Sequence, residues 1–325
     1  MLLNLVEYHW VESIDDALLL LARLDTKTVP LAGGTHLLGL QDESIQAVVD
    51  LRDLELAYIS EDKRGIHLGA MTTLQSIVDA PLLKEFVAGM LPRAALASSS
   101  SRQIRNSATI GGTLGAGADS QADLLTALVA LDAEVVVRSG SKTQVNLSGG
   151  TLERPGLPLS GVVFKGKQER RIASASLNLE RRPNELIIEV VVPRPTANCG
   201  TSLMRVGRTP SDVALLNAAA LVEIEEGVYK RVRLAFGGVN MEPERAVAIE
   251  RQLEGQTVGQ LTNIADSQRL LAAIRSGISA FRPPTDARVS SGYRRVSGIN
   301  LAYRALEEAI NVAQWRNIMT SEKGM

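Results

Sequence analysis

The sequence predicts an α+β chain built from more than one domain, and three observations carry that expectation. Its 325 residues exceed what one hydrophobic core usually organises, because domains of about 100 to 150 residues are the common size. Strand-length apolar runs alternate with segments of helical apolar spacing through the first part of the chain. Pro193 and Pro195 then end a buried apolar run, and further strand-like and helix-like segments follow as a separate α+β unit.

In order along the chain, Ser13 reads as a helix cap, with Asp16 three residues on at the positive end of the dipole and Ile14, Leu18, Leu21 and Ala22 on one face. Residues 29–32 form a short apolar stretch before the pair Gly33-Gly34, and residues 47–51 read as the next strand. Residues 66–69 look like a strand, Thr73 caps a helix through Val78, and residues 82–97 have continuous helical spacing before the polar run 98–101. The pair Gly111-Gly112 follows, then a predicted helix over 119–131 and a strand over 134–138. Residues 139–158, rich in Gly, Ser and Pro, read as surface turns, and 186–192 as a buried strand. Beyond the prolines, 213–222 is an apolar run, 231–236 alternates like a strand, and 243–253, 261–274 and 289–312 contain helices.

A formal net charge of -1 leaves no excess of Lys or Arg for nucleic acid or anionic lipid. The opening residues lack the basic flank and long apolar run of a signal peptide, and no segment reaches about 18 uninterrupted apolar residues, so a cytoplasmic chain without membrane insertion is expected. Cys199, the only cysteine, cannot by itself hold an iron–sulfur cluster, so any such cluster belongs to a partner. His9, His36 and His67 show no metal-ligand spacing.

Paired glycines let a backbone approach an anion with its amides and with no Cβ in the way. The segment Leu31-Ala32-Gly33-Gly34-Thr35-His36-Leu37 follows an apolar strand, and Thr109-Ile110-Gly111-Gly112-Thr113 repeats its grammar. A single Gly-Gly is better explained by a tight turn, which is the reading for Gly149-Gly150-Thr151. Two copies in matched surroundings support phosphate binding as well as they support plain turns. No G-x-G-x-x-G, P-loop or G-x-S-x-G motif is present, which removes Rossmann, P-loop and serine-hydrolase readings.

Residues 31–35, 103–112 and 128–133 resemble the FAD-binding medium subunits of molybdenum hydroxylases, the flavoprotein subunits of carbon monoxide dehydrogenase and of the xanthine dehydrogenase family. The likeness continues through Arg208, Asp212-Val213-Ala214, residues 236–239 and 243–246, and Tyr293-Arg294-Arg295. It implies a two-subdomain FAD-binding fold of the vanillyl-alcohol-oxidase type over residues 1–195, split near residue 58, then a C-terminal α+β domain over 196–325. It also implies an FAD-binding electron-transfer subunit of a hetero-oligomer. An iron–sulfur small subunit with 2Fe-2S clusters and a molybdopterin large subunit would be its partners.

Carried onto this chain, Leu31 to Leu37 and Thr109 to Thr113 would line the pyrophosphate and ribityl portion, while Asp123 would be an acidic contact and Arg205 a basic residue near the flavin. Thr113 stands where the family usually has Asn, His36 where Asp is common, and residues 161–166 replace an aromatic, glycine-rich stretch. Those departures motivate a second reading, a non-enzymatic scaffold that keeps the fold without flavin.

Several residues have plainer expectations. Asp119 and Asp123 suit a helix N-terminus, Arg102 and Arg105 a solvated surface, and Tyr293-Arg294-Arg295 a solvated helix with one buried aromatic. Trp10 and Trp315 are expected to pack.

Overall fold

The computed structural model describes residues 2–117, 122–144, 162–209, 211–240 and 242–323. Strand β1 (Glu7–Trp10), helix α1 (Ile14–Leu21), β2 (Thr28–Leu31) and β3 (Ala47–Asp50) form a parallel three-stranded sheet in the order β1-β3-β2. Helix α1 connects β1 to β2, the two strands that flank β3, and residues 32–46 cross back so that β3 runs parallel to both. Ser13 caps α1 by accepting from the Asp16 amide, as the sequence predicts.

A five-stranded antiparallel sheet follows, with the order β4-β5-β8-β6-β7. Its strands are β4 (Ile59–Glu61), β5 (Gly65–Gly69), β6 (Glu134–Gln144), β7 (Val162–Ala173) and β8 (Glu185–Pro193). Between β5 and β6 the chain winds through α2 (Leu74–Asp79), α3 (Pro81–Glu85), α4 (Met90–Ser98), α5 (Arg102–Ser107), α6 (Ile110–Ala116) and α7 (Ala122–Ala130). A short α8 (Leu177–Glu180) precedes β8.

Strand β8 is apolar on both sides because both faces of this sheet are covered. Ile187, Val190 and Val192 enter the core built with α2, α4, α6 and α7, while Leu186, Ile188 and Val191 pack with Ala17 and Leu18 of α1 and Val49 of β3. The first small sheet is thereby anchored across the second. Such two-sided burial turns an alternating strand pattern into a continuous apolar run.

The remainder forms a four-stranded antiparallel sheet, order β12-β11-β10-β9, from β9 (Cys199–Val206), β10 (Leu216–Glu225), β11 (Val228–Gly237) and β12 (Glu244–Arg245). Helices α9 (Val247–Leu253), α10 (Ile264–Ile278) and α11 (Ser291–Lys323) complete it. Ala218, Ala220 and Val222 of β10 face these helices, whereas Ala219 and Leu221 join the core that contains α7. Asp132, just beyond α7, ties the two together by ion pairs to Arg231, Arg233 and Arg245.

The structure corrects several expectations. The continuous helix over 82–97 is broken between α3 and α4, where Val87, Ala88 and Gly89 adopt positive φ values of 45°, 53° and 70°. Tertiary contact holds this break, since Val87 is buried and its carbonyl accepts from the Thr201 hydroxyl of β9. Strand β6 runs on to Gln144 through residues expected as turns, paired with β7. Arg105 is buried, donating to Gln75 Oε1 at 3.0 Å and to the Ser99 and Ser100 carbonyls, while Arg102 is exposed. In the triad on α11, Arg294 is the buried residue and Tyr293 is 46% exposed, the reverse of the expectation. Trp10 and Trp315 are exposed rather than packed, Trp10 donating to Asp53 with the Arg52 guanidinium over its ring. The third glycine pair and Asp119 lie outside the described residues. Among the described residues, no helix is long and apolar enough to cross a membrane.

Candidate functional site

The first glycine segment leaves the C-terminal end of β2 and closes with a single turn of 3-10 helix over Leu37–Gly39. Gly34 has φ +69°, a left-handed conformation that costs a residue with a Cβ more than it costs glycine. Gly33 is required for a different reason. A Cβ there would lie 1.6 Å from the Ser107 carbonyl oxygen, so the first segment rests directly on the backbone that leads into the second. The amides of Gly33, Gly34, Thr35 and His36 donate to no acceptor among the described residues.

The second segment is the first turn of α6 rather than a loop. Thr109 caps the helix, its hydroxyl accepting from the Gly112 amide at 3.0 Å. The Ile110 amide donates to Thr72 O at 2.9 Å and the Gly111 amide to Ala70 O at 2.8 Å. Three of the amides that a helix start normally leaves open are therefore already engaged. The glycines serve close approach instead: a Cβ on Gly111 would lie 2.7 Å from Ala70 Cβ, and one on Gly112 would sit 3.6 Å from Ala32 Cβ of the first segment.

Both segments line one cleft of about 340 Å³. Ala32, Gly33, Gly34, Thr35, His36 and Leu37 form one side, and Thr109, Gly111 and Gly112, with Gly115 and Ala116 further along α6, form another. Leu31, Ile110 and Thr113 are absent from its wall; Ile110 and Thr113 are buried beneath it. Ala70 and Met71, the stretch Glu185-Leu186-Ile187 of β8, Arg181 and Lys27 also line it. Sequence reading missed these residues, because a polar Arg181-Arg182 pair reads as a solvated turn and Ile187 as ordinary core. A hydrophobic wall with an open-amide rim at a strand end suits an extended ligand with a phosphate portion.

Asp123 and Arg205 come together elsewhere. Asp123, 3% exposed on α7, accepts from Asn217 Nδ2 at 2.6 Å and pairs with Arg205 Nε at 3.3 Å. Burial pushes its carboxyl above the usual range, opposed by the Asn217 hydrogen bond and the Arg205 charge. Arg205 also donates to the Asp212 carbonyl, and Thr126 donates to Asn217 Oδ1 at 2.9 Å. Thr113, Gly117 and Asn217 line a second cleft of about 240 Å³ on the other side of α6. Helix α6 thus presents Gly112, Gly115 and Ala116 to the first cleft and Thr113 to the second.

The chemistry of this donor set fits a dinucleotide better than a metal. Among the described residues, no group of three or more His, Cys, Asp or Glu side chains is placed to hold a metal ion. His67 lies 3.0 Å from Asp62 Oδ1 and 3.1 Å from Glu189 Oε1, and His9 lies 2.7 Å from Glu7 Oε2, in contacts away from the cleft.

Known proteins resemble this chain over most of its length. Residues 4–195 match the model described as the FAD binding domain in molybdopterin dehydrogenase, and residues 202–309 match the CO dehydrogenase flavoprotein C-terminal domain. The glyceraldehyde dehydrogenase medium chain of Sulfolobus acidocaldarius is 29% identical over 306 residues, covering 93% of this chain and 97% of that protein. The carbon monoxide dehydrogenase medium chain of Afipia carboxidovorans is 25% identical over 310 residues, covering 93% and 96%. In fold, a chain of the carbon monoxide dehydrogenase structure from Hydrogenophaga pseudoflava superposes with a TM-score of 0.78 at 23% identity, covering 96% of this chain and 99% of that one.

Proposed function

Because the chain belongs to the family of FAD-binding domains of molybdopterin dehydrogenases, an oxidoreductase family, we propose that it relays electrons through FAD as one subunit of a molybdenum-containing hydroxylase or dehydrogenase. In this reading an iron–sulfur small subunit delivers the electrons from its 2Fe-2S clusters, and a molybdopterin large subunit oxidises the substrate. The catalytic molybdenum site then lies on the partner. The FAD-binding unit comprises residues 1–195 and the C-terminal α+β unit residues 196–325.

One observation carries the proposal: two glycine segments distant in sequence meet through Gly33 and Ser107 and line a single cleft. When bound, FAD supplies a ring that takes up electrons singly or in pairs. The chain's own residues bind and orient it. The open amides from Gly33 to His36 would receive the diphosphate, and the Cβ-free surface of Gly111 and Gly112 admits the cofactor backbone close to α6. Thr113, Asp123 and Arg205 would act at the far side of α6, where the buried carboxyl and guanidinium fix each other's orientation. No side chain of this chain needs to act as a nucleophile.

The open cleft favours a flavoprotein over a scaffold that has lost its cofactor. Purified protein supplied with FAD should be yellow, absorbing near ~450 nm, with a flavin stoichiometry close to one. Folded protein that takes up no FAD, alone or within its complex, would reject the reading.

A further inference from the structure

The cleft contains a cation whose buried Nε finds no acceptor among the described residues. Arg181 lies on the loop between α8 and β8, where its amide closes α8 by donating to Leu177 O at 2.8 Å. Its side chain lines the cleft that Ala32 to Leu37 and α6 also line. Its Nε is shut off from solvent and has no hydrogen-bond partner, and no ion pair to Arg181 is formed among the described residues. The nearest candidate is already committed: Glu185 accepts from Arg170 Nε and Nη2 at 2.8 and 2.9 Å and from the Arg182 amide at 2.8 Å. Burial accordingly pulls the Arg181 guanidinium below its ordinary value, and the Glu185 charge offsets this only in part.

A desolvated guanidinium is costly unless an anion meets it, and arginine's planar fork suits phosphate oxygens in particular. Lys27, the other cation on the cleft wall, is engaged by Asp42 at 3.0 Å and by Ser44. We propose that Arg181 is the cationic contact of the FAD diphosphate, closing over it from the β8 side while the open amides of Gly33 to His36 hold it from the β2 side. This rests on the reading that FAD occupies this cleft. It adds a residue that no glycine motif announces, and it divides the labour: neutral amides orient the diphosphate, and one partly buried arginine offsets part of its negative charge.

The test uses the full chain stripped of flavin, titrated with FAD by flavin fluorescence across a salt series, as wild type, R181K and R181Q. R181Q should bind FAD about 10- to 100-fold more weakly, the scale of a lost hydrogen bond to a charged group, and R181K should recover part of that loss. The salt dependence of FAD affinity should become shallower in R181Q and stay near wild type in R181K. Without FAD, R181Q should melt at or above the wild-type temperature, because it removes a partly desolvated cation that has no acceptor among the described residues. Equal FAD affinity in wild type and R181Q overturns the proposal while leaving the cofactor reading intact. So does an apo R181Q that melts well below wild type, which would make Arg181 a structural residue. Folded wild-type protein that binds no FAD, either alone or within its complex, overturns both.

Discussion

Gly33-Gly34-Thr35 and Gly111-Gly112-Thr113 are the same three residues in sequence and do opposite things in the fold. The first sits after a strand, holds Gly34 at φ +69° and leaves its amides without acceptors. The second starts a helix whose leading amides are taken by Thr72 O, Ala70 O and the Thr109 hydroxyl. One copy therefore offers hydrogen-bond donors and the other offers room. A repeated motif is evidence of shared surroundings, and the backbone partners decide what each copy supplies.

Substitutions separate the two roles, and the largest effect is expected where they touch. Gly33→Ala places a methyl 1.6 Å from the Ser107 carbonyl oxygen, so the segments must part. A loss of about 3 kcal/mol or more is expected in denaturant unfolding, with FAD affinity lost as well. Wild-type stability in that variant would break the claim that the two segments rest on each other.

Gly111→Ala comes next, since its Cβ would meet Ala70 Cβ at 2.7 Å and Ala70 O at 2.8 Å. The start of α6 can shift as a unit, so ~1–3 kcal/mol is expected from thermal or chemical melting. Gly34→Ala meets only flexible side chains, Leu38 at 3.2 Å and Leu31 at 3.5 Å, and its cost of about 1–2 kcal/mol comes from the left-handed backbone. There the comparison sharpens: FAD affinity should fall in G34A by more than the stability change accounts for, because the open amides reorient.

Thr109→Ala is the smallest. Loss of the cap on Gly112 should cost ~1 kcal/mol of stability. Titration of the folded variant with FAD should give nearly wild-type affinity, since the Thr109 hydroxyl serves the helix. A T109A protein that keeps its stability and loses FAD would reverse the assignment of roles to the two segments.

Much of the fold was legible locally. Ser13 caps α1 and Thr73 caps α2 because a hydroxyl three residues before an amide needs nothing from the rest of the chain. The apolar runs at β3, β8 and β10 mark buried strands for the same reason, although only the structure explains that β10 is apolar throughout because Ala219 and Leu221 face one core while Ala218, Ala220 and Val222 face another. The break at Val87 to Gly89 and the burial of Arg105 were illegible. Each depends on partners supplied by other segments, the Thr201 hydroxyl in one case and Gln75 with two carbonyls in the other.

The same boundary runs through the candidate site. By itself the sequence determined that glycines stand at 33, 34, 111 and 112, that no nucleophile motif accompanies them, and that their surroundings resemble a flavoprotein family. Only the tertiary structure decided that Gly33 lies on Ser107, that Ala70 and Thr72 consume the amides of α6, that Asp123 pairs with Arg205, and that Arg181 reaches the cleft with no acceptor for its Nε among the described residues. The physical reason is the range of the interactions. Backbone conformation and capping are set within a turn of the chain, whereas the availability of a donor depends on which distant carbonyls and carboxylates the packed core brings within hydrogen-bonding distance.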